Sequence, residues 1–143
     1  MEYRAFGSTG IQISAMGFGC WEIGGGYGSI EEADFIKAIN RALDLGINSF
    51  DTAEAYGMGA SETSLAKALG SRRKEAVITT KFGVGYIEAK DRNFRDSSRN
   101  RVMASIEKSR TCSRSSGWTS SRDWRPTISS GRHPSTRSDA GLW

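Results

Sequence analysis

Three titratable side chains lie at or just after the ends of apolar stretches of the chain. Asp51 closes one such stretch, Lys81 closes the next, and Tyr56 lies in the loop after Asp51. A phenol can donate a proton, but its ordinary pKa of about 10 makes this awkward at neutral pH, and an adjacent cation favours the phenolate. Taken singly, each residue also has an ordinary interpretation, as a turn residue, a solvated strand end and a loop aromatic.

Short apolar strands alternate with amphipathic helices along the first 108 residues. Strands are predicted at residues 16–21, 47–51 and 76–81. Three helices are predicted: one between the first and second strands, one at residues 61–69, and one that begins near Ser98. This alternation is typical of βαβ units and a parallel sheet, whose strands are covered on both faces and therefore apolar throughout. Asp51 and Lys81 then lie at the carboxyl ends of the second and third strands.

Local signals bound several of these elements. Residues 1–6 are expected to pair with residues 11–14, because the intervening Gly-Ser-Thr-Gly is turn chemistry. Ser29 and Glu32 have the Ser-x-x-Glu spacing of a capping box at the start of the first helix. Gly46 is placed to end that helix.

The net charge of the chain comes from its last quarter. Residues 1–108 hold 14 Lys+Arg and 14 Asp+Glu, whereas residues 109–143 hold six Arg and two Asp and so carry the whole net charge of +4. Ten of these last 35 residues are serine, and no helical or strand period can be traced. We therefore divide the chain at residues 1–108 and 109–143, and predict the second part to be unstructured.

Two interpretations of residues 109–143 stay open. A Ser/Arg/Trp-rich stretch is what a GC-rich coding sequence gives when it is read out of frame, which would make the chain a truncated product. A functional basic segment that binds nucleic acid is the alternative. The arginines stand singly rather than in clusters, which favours the first interpretation, so no nucleic-acid partner is expected.

Several classes of protein are disfavoured by composition. No apolar run reaches the roughly 18 residues of a membrane span, and no signal peptide is visible, so a cytoplasmic location without membrane contact is expected. Cys20 and Cys112 have no metal-ligand spacing, and a disulfide between them is disfavoured in a chain without a secretion signal. No metal site is predicted.

An ordered set of motifs resembles the aldo-keto reductase family over about residues 1–108. The motifs are Phe6-Gly7-Ser8-Thr9-Gly10, Gly17-Phe18-Gly19-Cys20-Trp21, Ala42-Leu43-Asp44-Leu45-Gly46-Ile47-Asn48, Phe50-Asp51-Thr52-Ala53-Glu54-Ala55-Tyr56-Gly57, Gly59-Ala60-Ser61-Glu62 and Thr79-Thr80-Lys81-Phe82-Gly83. Each motif alone is weak, but the set in this order is specific. The resemblance implies an α/β fold, a partial TIM (β/α)8 barrel with an N-terminal β-hairpin, of which about three βα units are present.

The resemblance also implies a reaction and the residues that carry it. Asp51, Tyr56 and Lys81 match three members of the family's catalytic Asp-Tyr-Lys-His set. Tyr56 would donate a proton to the alkoxide while hydride passes between NADP(H), or alternatively NAD(H), and a small aldehyde or ketone. Lys81 would assist Tyr56, and Asp51 would hold Lys81. Asp51 and Trp21 are the expected cofactor-side contacts, with Trp21 flanking the substrate pocket or acting only as a packing aromatic.

Other candidate residues do not match the family's pattern. His133 follows no apolar strand, so the fourth catalytic role is not carried over to it. Gly24-Gly25-Gly26 and Gly83-Val84-Gly85 lack the Gly-x-Gly-x-x-Gly register of a Rossmann site. With more than half of the barrel beyond these motifs, the chain is expected to be inactive by itself. A non-catalytic half-barrel that associates with a partner chain is the second interpretation, and the oligomeric state stays open.

Overall fold

The N-terminus forms a two-stranded antiparallel hairpin in the computed structural model, which describes residues 1–24, 30–87 and 92–114. Strand β1 (Tyr3–Ala5) pairs with β2 (Gln12–Ser14), as predicted. The turn between them needs glycine at positive φ, which is +56° at Gly7 and +76° at Gly10. The hairpin is tied to the rest of the chain because the Tyr3 hydroxyl donates to the Gly46 carbonyl at 2.9 Å.

Three parallel strands form the sheet that carries the site. They are β3 (Gly17–Gly19), β4 (Ser49–Asp51) and β5 (Val77–Thr79), in the order β3-β4-β5. The predicted alternation of strand and helix is confirmed by α1 (Glu32–Asp44), α2 (Ala60–Leu69) and α3 (Arg99–Arg114). Short 3-10 segments lie at Glu22–Gly24, Tyr56–Gly59 and Gly70–Glu75.

The core lies between the sheet and the first two helices. Phe50 of β4 is fully buried, and Phe18 of β3 packs against it with ring centroids 5.9 Å apart. Ile39 of α1 and Leu65 and Leu69 of α2 are likewise buried at 0–1% exposure. Because these apolar side chains come from two strands and both helices, burying them fixes the strands and helices relative to one another.

Helix α1 begins later than the capping-box prediction placed it. Glu31 is the N-cap residue, in an extended conformation and without a side-chain cap, and Glu32 is the first helical residue. The predicted Ser29 cap itself lies outside the described residues, and Glu32 cannot be the third helical residue that a capping box needs. The other end is as predicted: Gly46 has a φ of +83°, and its N–H donates to the Leu43 carbonyl at 2.9 Å.

An antiparallel hairpin between β5 and α3 was not predicted. Strand β6 (Val84–Ile87) pairs with β7 (Arg92–Arg95), so Gly83-Val84-Gly85 leads into a strand rather than a phosphate loop. Glycine is needed at Gly85, because a Cβ there would collide with the Phe94 ring across the hairpin.

Helix α3 runs through the predicted boundary between residues 108 and 109. It ends at Arg114, and its last turns carry local pairs, with Arg110 2.8 Å from Glu107 and the Thr111 hydroxyl donating to the Glu107 carbonyl. The Ser109 hydroxyl reaches the buried Glu62 of α2 at 2.7 Å. The remaining tail, residues 115–143, lies outside the described residues, so the prediction that it is unstructured stays a prediction.

Candidate active site

Strand register brings the predicted carboxylate and lysine to one edge of the sheet. Gly19, Asp51 and Thr79 pair in register across β3, β4 and β5, so all three strands end at the same level. Lys81 lies two residues beyond the end of β5 and reaches back to Asp51, with Nζ 2.6 Å from Oδ2. The expected proximity of these two side chains is therefore present in the structure.

Tyr56 joins the same cluster through the Lys81 ammonium. Lys81 Nζ donates to the Tyr56 hydroxyl at 3.2 Å and to the Thr52 carbonyl at 3.0 Å, in addition to Asp51. An ammonium has three N–H donors, so these three acceptors match its full capacity. The structure thus brings Asp51, Tyr56 and Lys81 together around one cation.

The environment of Lys81 favours its charged form. Burial of the ammonium lowers its pKa, but the hydrogen bonds and charges of Asp51 and Tyr56 outweigh burial and raise that pKa above the ordinary value. The Lys81 and Asp51 side chains are 47% and 50% exposed. Such an open ion pair contributes at most about 1 kcal/mol to folding, so its arrangement matters more for chemistry than for stability.

The loop that carries Tyr56 is held by backbone hydrogen bonds and a left-handed turn. Thr52 N–H donates to the Thr79 carbonyl at 2.8 Å, and Tyr56 N–H donates to the Ala53 carbonyl at 3.1 Å. After Tyr56 the chain turns through positive φ at Gly57 and at Met58, where φ is +54°. Left-handed backbone costs a non-glycine residue roughly 1–2 kcal/mol, so this turn holds Tyr56 at the expense of local strain at Met58.

Trp21 lies beside Tyr56 at the end of β3. Its side chain is among the large exposed hydrophobic groups, at 52% exposure, and its ring centroid is 6.4 Å from that of Tyr56. The exposed Phe82, next to Lys81, adds a second apolar surface. An aromatic ring with half of its surface open, next to a phenol and an ammonium, can contact a planar ligand.

A buried hydroxyl network behind the site was not predicted. Ser61 of α2 is fully buried, and its Oγ donates to the Cys20 carbonyl at 2.8 Å and lies 2.9 Å from Thr52 Oγ1. The network ties the residue before Trp21 to the residue after Asp51, through α2. The Gly59-Ala60-Ser61-Glu62 motif contained this signal, but its spacing alone does not show where the hydroxyl points.

Cys20 is a buried thiol without a nucleophile's environment. Burial and the charges of Asp51 and Glu22 raise its pKa to about 12, against an opposing effect of Lys81. Because the thiolate is the reactive form, this cysteine is expected to be inert in the folded chain.

Glu54 is a buried carboxylate beside the site whose partners spacing did not reveal. It lies in the loop between Asp51 and Tyr56, is only 3% exposed, and accepts from Arg101 at 2.8 Å and Lys108 at 3.4 Å, both on α3. Burial raises its pKa, but the nearby Ser105 hydroxyl and the two cations outweigh burial and lower it. Ser105 acts by proximity rather than through a well-formed hydrogen bond.

Some predicted features lie outside the described residues. His133 lies in the part of the chain that is not described, as do residues 115–143 of the basic segment. Within residues 1–24, 30–87 and 92–114, no group of three or more His, Cys, Asp or Glu could hold a metal ion. In those same ranges, no helix is long and apolar enough to cross a membrane.

Comparison with known proteins identifies the family. The family model described as the Aldo/keto reductase family matches residues 15–113, which is more than half of the chain. The chain belongs to the aldo/keto reductase family. This confirms the family expected from the motifs, and with it an oxidoreductase ancestry.

The relatives of this aldo/keto reductase chain are much longer than it is. It is 38% identical to aldo-keto reductase YhdN of Bacillus subtilis over 112 residues, which cover 76% of this chain and 33% of YhdN. It is 41% identical to L-galactose dehydrogenase of Arabidopsis thaliana over 86 residues, which cover 58% of this chain and 27% of that protein. The chain thus spans about a third or less of these curated relatives.

Solved structures confirm the fold class. The aldo-keto reductase AKR11C1 from Bacillus halodurans, in its holo form, superimposes with a TM-score of 0.70 at 28% identity. The match covers 79% of this chain and 36% of that one. The α/β fold of this aldo/keto reductase chain is therefore part of a (β/α)8 barrel with an N-terminal hairpin.

Proposed function

We propose that this chain carries the proton-transfer half of an NADP(H)-dependent carbonyl reductase site, with Asp51, Tyr56 and Lys81 as its catalytic residues. The observation that carries the proposal is the Lys81 ammonium, bonded at once to Asp51 and to Tyr56. A small aldehyde or ketone is the proposed substrate, and membership of the family supports this class.

Each of the three residues has a separate task in the proposed reaction. A bound nicotinamide would supply hydride to the carbonyl carbon. As the C=O π electrons move onto oxygen, Tyr56 gives that oxygen its proton and becomes a phenolate. Lys81, at 3.2 Å, stabilises the phenolate by its charge and hydrogen bond. Asp51 holds Lys81 in position and keeps it protonated. In alcohol oxidation the proton returns to Tyr56.

The residues present fit one end of a nicotinamide cofactor. Trp21 offers a half-open aromatic face, and Asp51 offers a half-exposed carboxylate that can accept a hydrogen bond, on the same sheet edge as Tyr56. We therefore propose Asp51 and Trp21 as cofactor-side contacts. NADP(H) is the preferred form, with NAD(H) as the alternative.

We further propose that the chain does not turn over substrate by itself. It matches 33% of YhdN and 36% of the Bacillus halodurans structure, and residues 109–143 bear the composition of an out-of-frame reading. Independent sequencing of the gene around codon 109 tests this point. We expect a one-base insertion or deletion there that restores a barrel-like continuation. If the given reading frame is confirmed and no frame encodes such a continuation, the out-of-frame interpretation is contradicted.

The catalytic roles can be tested in a chimera. Residues 1–113 of this chain would replace the matching segment of YhdN, and aldehyde-dependent oxidation of NADPH would be measured. Replacing Tyr56 with phenylalanine or Lys81 with methionine is expected to lower kcat by about 100- to 10,000-fold, the usual contribution of a positioned acid.

Tyr3 offers a matched control for the tyrosine variant. Its hydroxyl bonds to the carbonyl of Gly46, just after the C-terminal end of α1, so Tyr3→Phe makes the same chemical change elsewhere. We expect that control to keep the activity of the parent chimera within about twofold. Full activity in the Tyr56→Phe chimera would refute the proposed roles.

A further inference from the structure

A buried ion pair joins helix α3 to the loop between two of the proposed catalytic residues. Glu54 lies three residues after Asp51 and two before Tyr56, and its side chain is 4% exposed. Its Oε1 accepts from Arg101 at 2.8 Å, and Arg101 is itself only 24% exposed. Among the ion pairs of the described residues, Glu54 is the most deeply buried carboxylate.

Burial makes this pair costly unless it has a further use. Removing a carboxylate and a guanidinium from water costs more than their attraction returns in many proteins, and apolar residues of similar size often stabilise better. Here the two cations and the Ser105 hydroxyl lower the pKa of Glu54 despite its burial, but Glu54 Oε2 and Arg101 Nε are still buried without hydrogen-bond partners. Two unsatisfied polar atoms are a cost that an apolar pair would avoid, so stability alone does not explain why an ion pair stands here.

Both ends of the pair are fixed to elements that matter for the site. Arg101 lies over the Phe94 ring of strand β7 at 5.6 Å, which anchors the guanidinium against the hairpin. Glu54 N–H faces the Lys81 carbonyl at 3.5 Å, at the end of the segment that leaves β5. A shift of Glu54 would consequently move the loop relative to Lys81.

The loop is short, so its position determines where the Tyr56 hydroxyl lies. Tyr56 N–H donates to the Ala53 carbonyl, which places both residues in one turn with Glu54 between them. The Tyr56 hydroxyl is 3.2 Å from Lys81 Nζ, near the long end of the hydrogen-bond range. A displacement of a few tenths of an ångström would break that contact.

We propose that the Glu54–Arg101 pair is a positioning device that holds the Tyr56 hydroxyl on the Lys81 ammonium. Glu54 and Arg101 are positioning residues, because they act through the loop and not on a substrate. Calling Tyr56 the proton donor rests on the proposed function, whereas the positioning itself does not.

The titration of Lys81 distinguishes positioning from simple charge effects. Removal of the Arg101 cation would, by its charge alone, raise the pKa of any neighbouring lysine. Loss of positioning would instead lower the pKa of Lys81, because the hydrogen bond with Tyr56 is one of the causes that raise it. The two explanations therefore predict opposite shifts in the same variant.

The experiment follows the Lys81 side chain of the full chain by NMR with isotope-labelled lysine, assigned with Lys81→Arg. In Arg101→Met we expect the pKa of Lys81 to fall below its value in the parent chain. Lys108→Met is the matched control, because it removes a more exposed cation that lies at 3.4 Å from the same Glu54 oxygen. We expect no fall in that control.

A double variant keeps the test decisive if Arg101→Met leaves Glu54 unpaired and unfolds the chain. Glu54→Gln combined with Arg101→Met removes both charges, so no buried ion is orphaned and the net charge effect on Lys81 nearly cancels. We expect this variant to fold and still to show a lowered pKa of Lys81. An unchanged or raised pKa in a folded variant would overturn the proposal. Since no turnover is measured, an inactive chain tests it equally well.

Discussion

Replacing Ser61 with alanine tests the hydroxyl network that fixes the strand ends behind the site. The change removes one oxygen and with it the bonds to the Cys20 carbonyl at 2.8 Å and to Thr52 Oγ1 at 2.9 Å. Each buried hydrogen bond contributes about 1 kcal/mol net, and an orphaned buried acceptor adds to the loss. We expect Ser61→Ala to lower the free energy of unfolding by about 2 kcal/mol.

A double-mutant cycle locates that loss in the network. Thr52 is 1% exposed, and Thr52→Val removes only its bond to Ser61, at an expected cost of about 1 kcal/mol. Because the two variants share one bond, the double variant should cost less than the sum of the single ones. Ser64→Ala, on the same helix at a half-buried position, is the control and should change stability by less than about 0.5 kcal/mol.

Urea unfolding followed by far-ultraviolet circular dichroism measures these differences. A Ser61→Ala variant within about 0.5 kcal/mol of the parent chain would refute the reasoning, since it would mean that the network does not hold the strand ends. Strict additivity of the Ser61 and Thr52 variants would show instead that their hydroxyls do not interact.

Three further predictions concern single groups. Glu54, with its lowered pKa, contributes stability that is present above its ordinary pKa of 4.5 and lost as pH falls through the lowered value. The double variant Glu54→Gln with Arg101→Met should therefore lose less stability than the parent chain during acid titration, and equal losses would contradict this. Cys20, with a pKa of about 12, should react with iodoacetamide at neutral pH only after denaturation, as read by peptide mass mapping. Rapid labelling of Cys20 itself in the folded chain would be evidence against this. Met58→Gly should relieve the strain of a φ of +54° and raise the free energy of unfolding by about 0.5–1 kcal/mol. The control Met103→Gly, in helix α3, should lower the free energy of unfolding by about 1 kcal/mol. A lower free energy of unfolding in both variants would show that the turn is unstrained.

The sheet and the edge that carries Asp51 and Lys81 could be predicted because their signals are local. Apolar strands followed by helices predict parallel strands, and parallel strands in register end together, which places Asp51 and Lys81 side by side. Tyr56 follows Asp51 closely, so a short loop suffices to bring it within reach. The resemblance to the family added the roles of these residues, which remain proposals.

The surrounding support could not be predicted because its partners are far apart in sequence. Arg101 meets Glu54 across 47 residues, and no period or spacing connects them. The sequence between β6 and β7 contains no Asn-Gly or Asp-Gly pair that would have signalled the hairpin that presents Phe94. Helix α3 continues beyond residue 108 through contacts such as Ser109 with Glu62, which composition does not reveal.

The most direct test of the central claim, that Asp51, Tyr56 and Lys81 form one site around a shared ammonium, is the titration of Lys81 in the parent chain and in two variants. The parent Lys81 is expected to titrate above the ordinary lysine pKa of 10.5. Asp51→Asn removes the negative charge beside the ammonium and Tyr56→Phe removes one of its acceptors, so each variant should lower that pKa. A parent Lys81 at the ordinary value, unmoved by either variant, would contradict the claim.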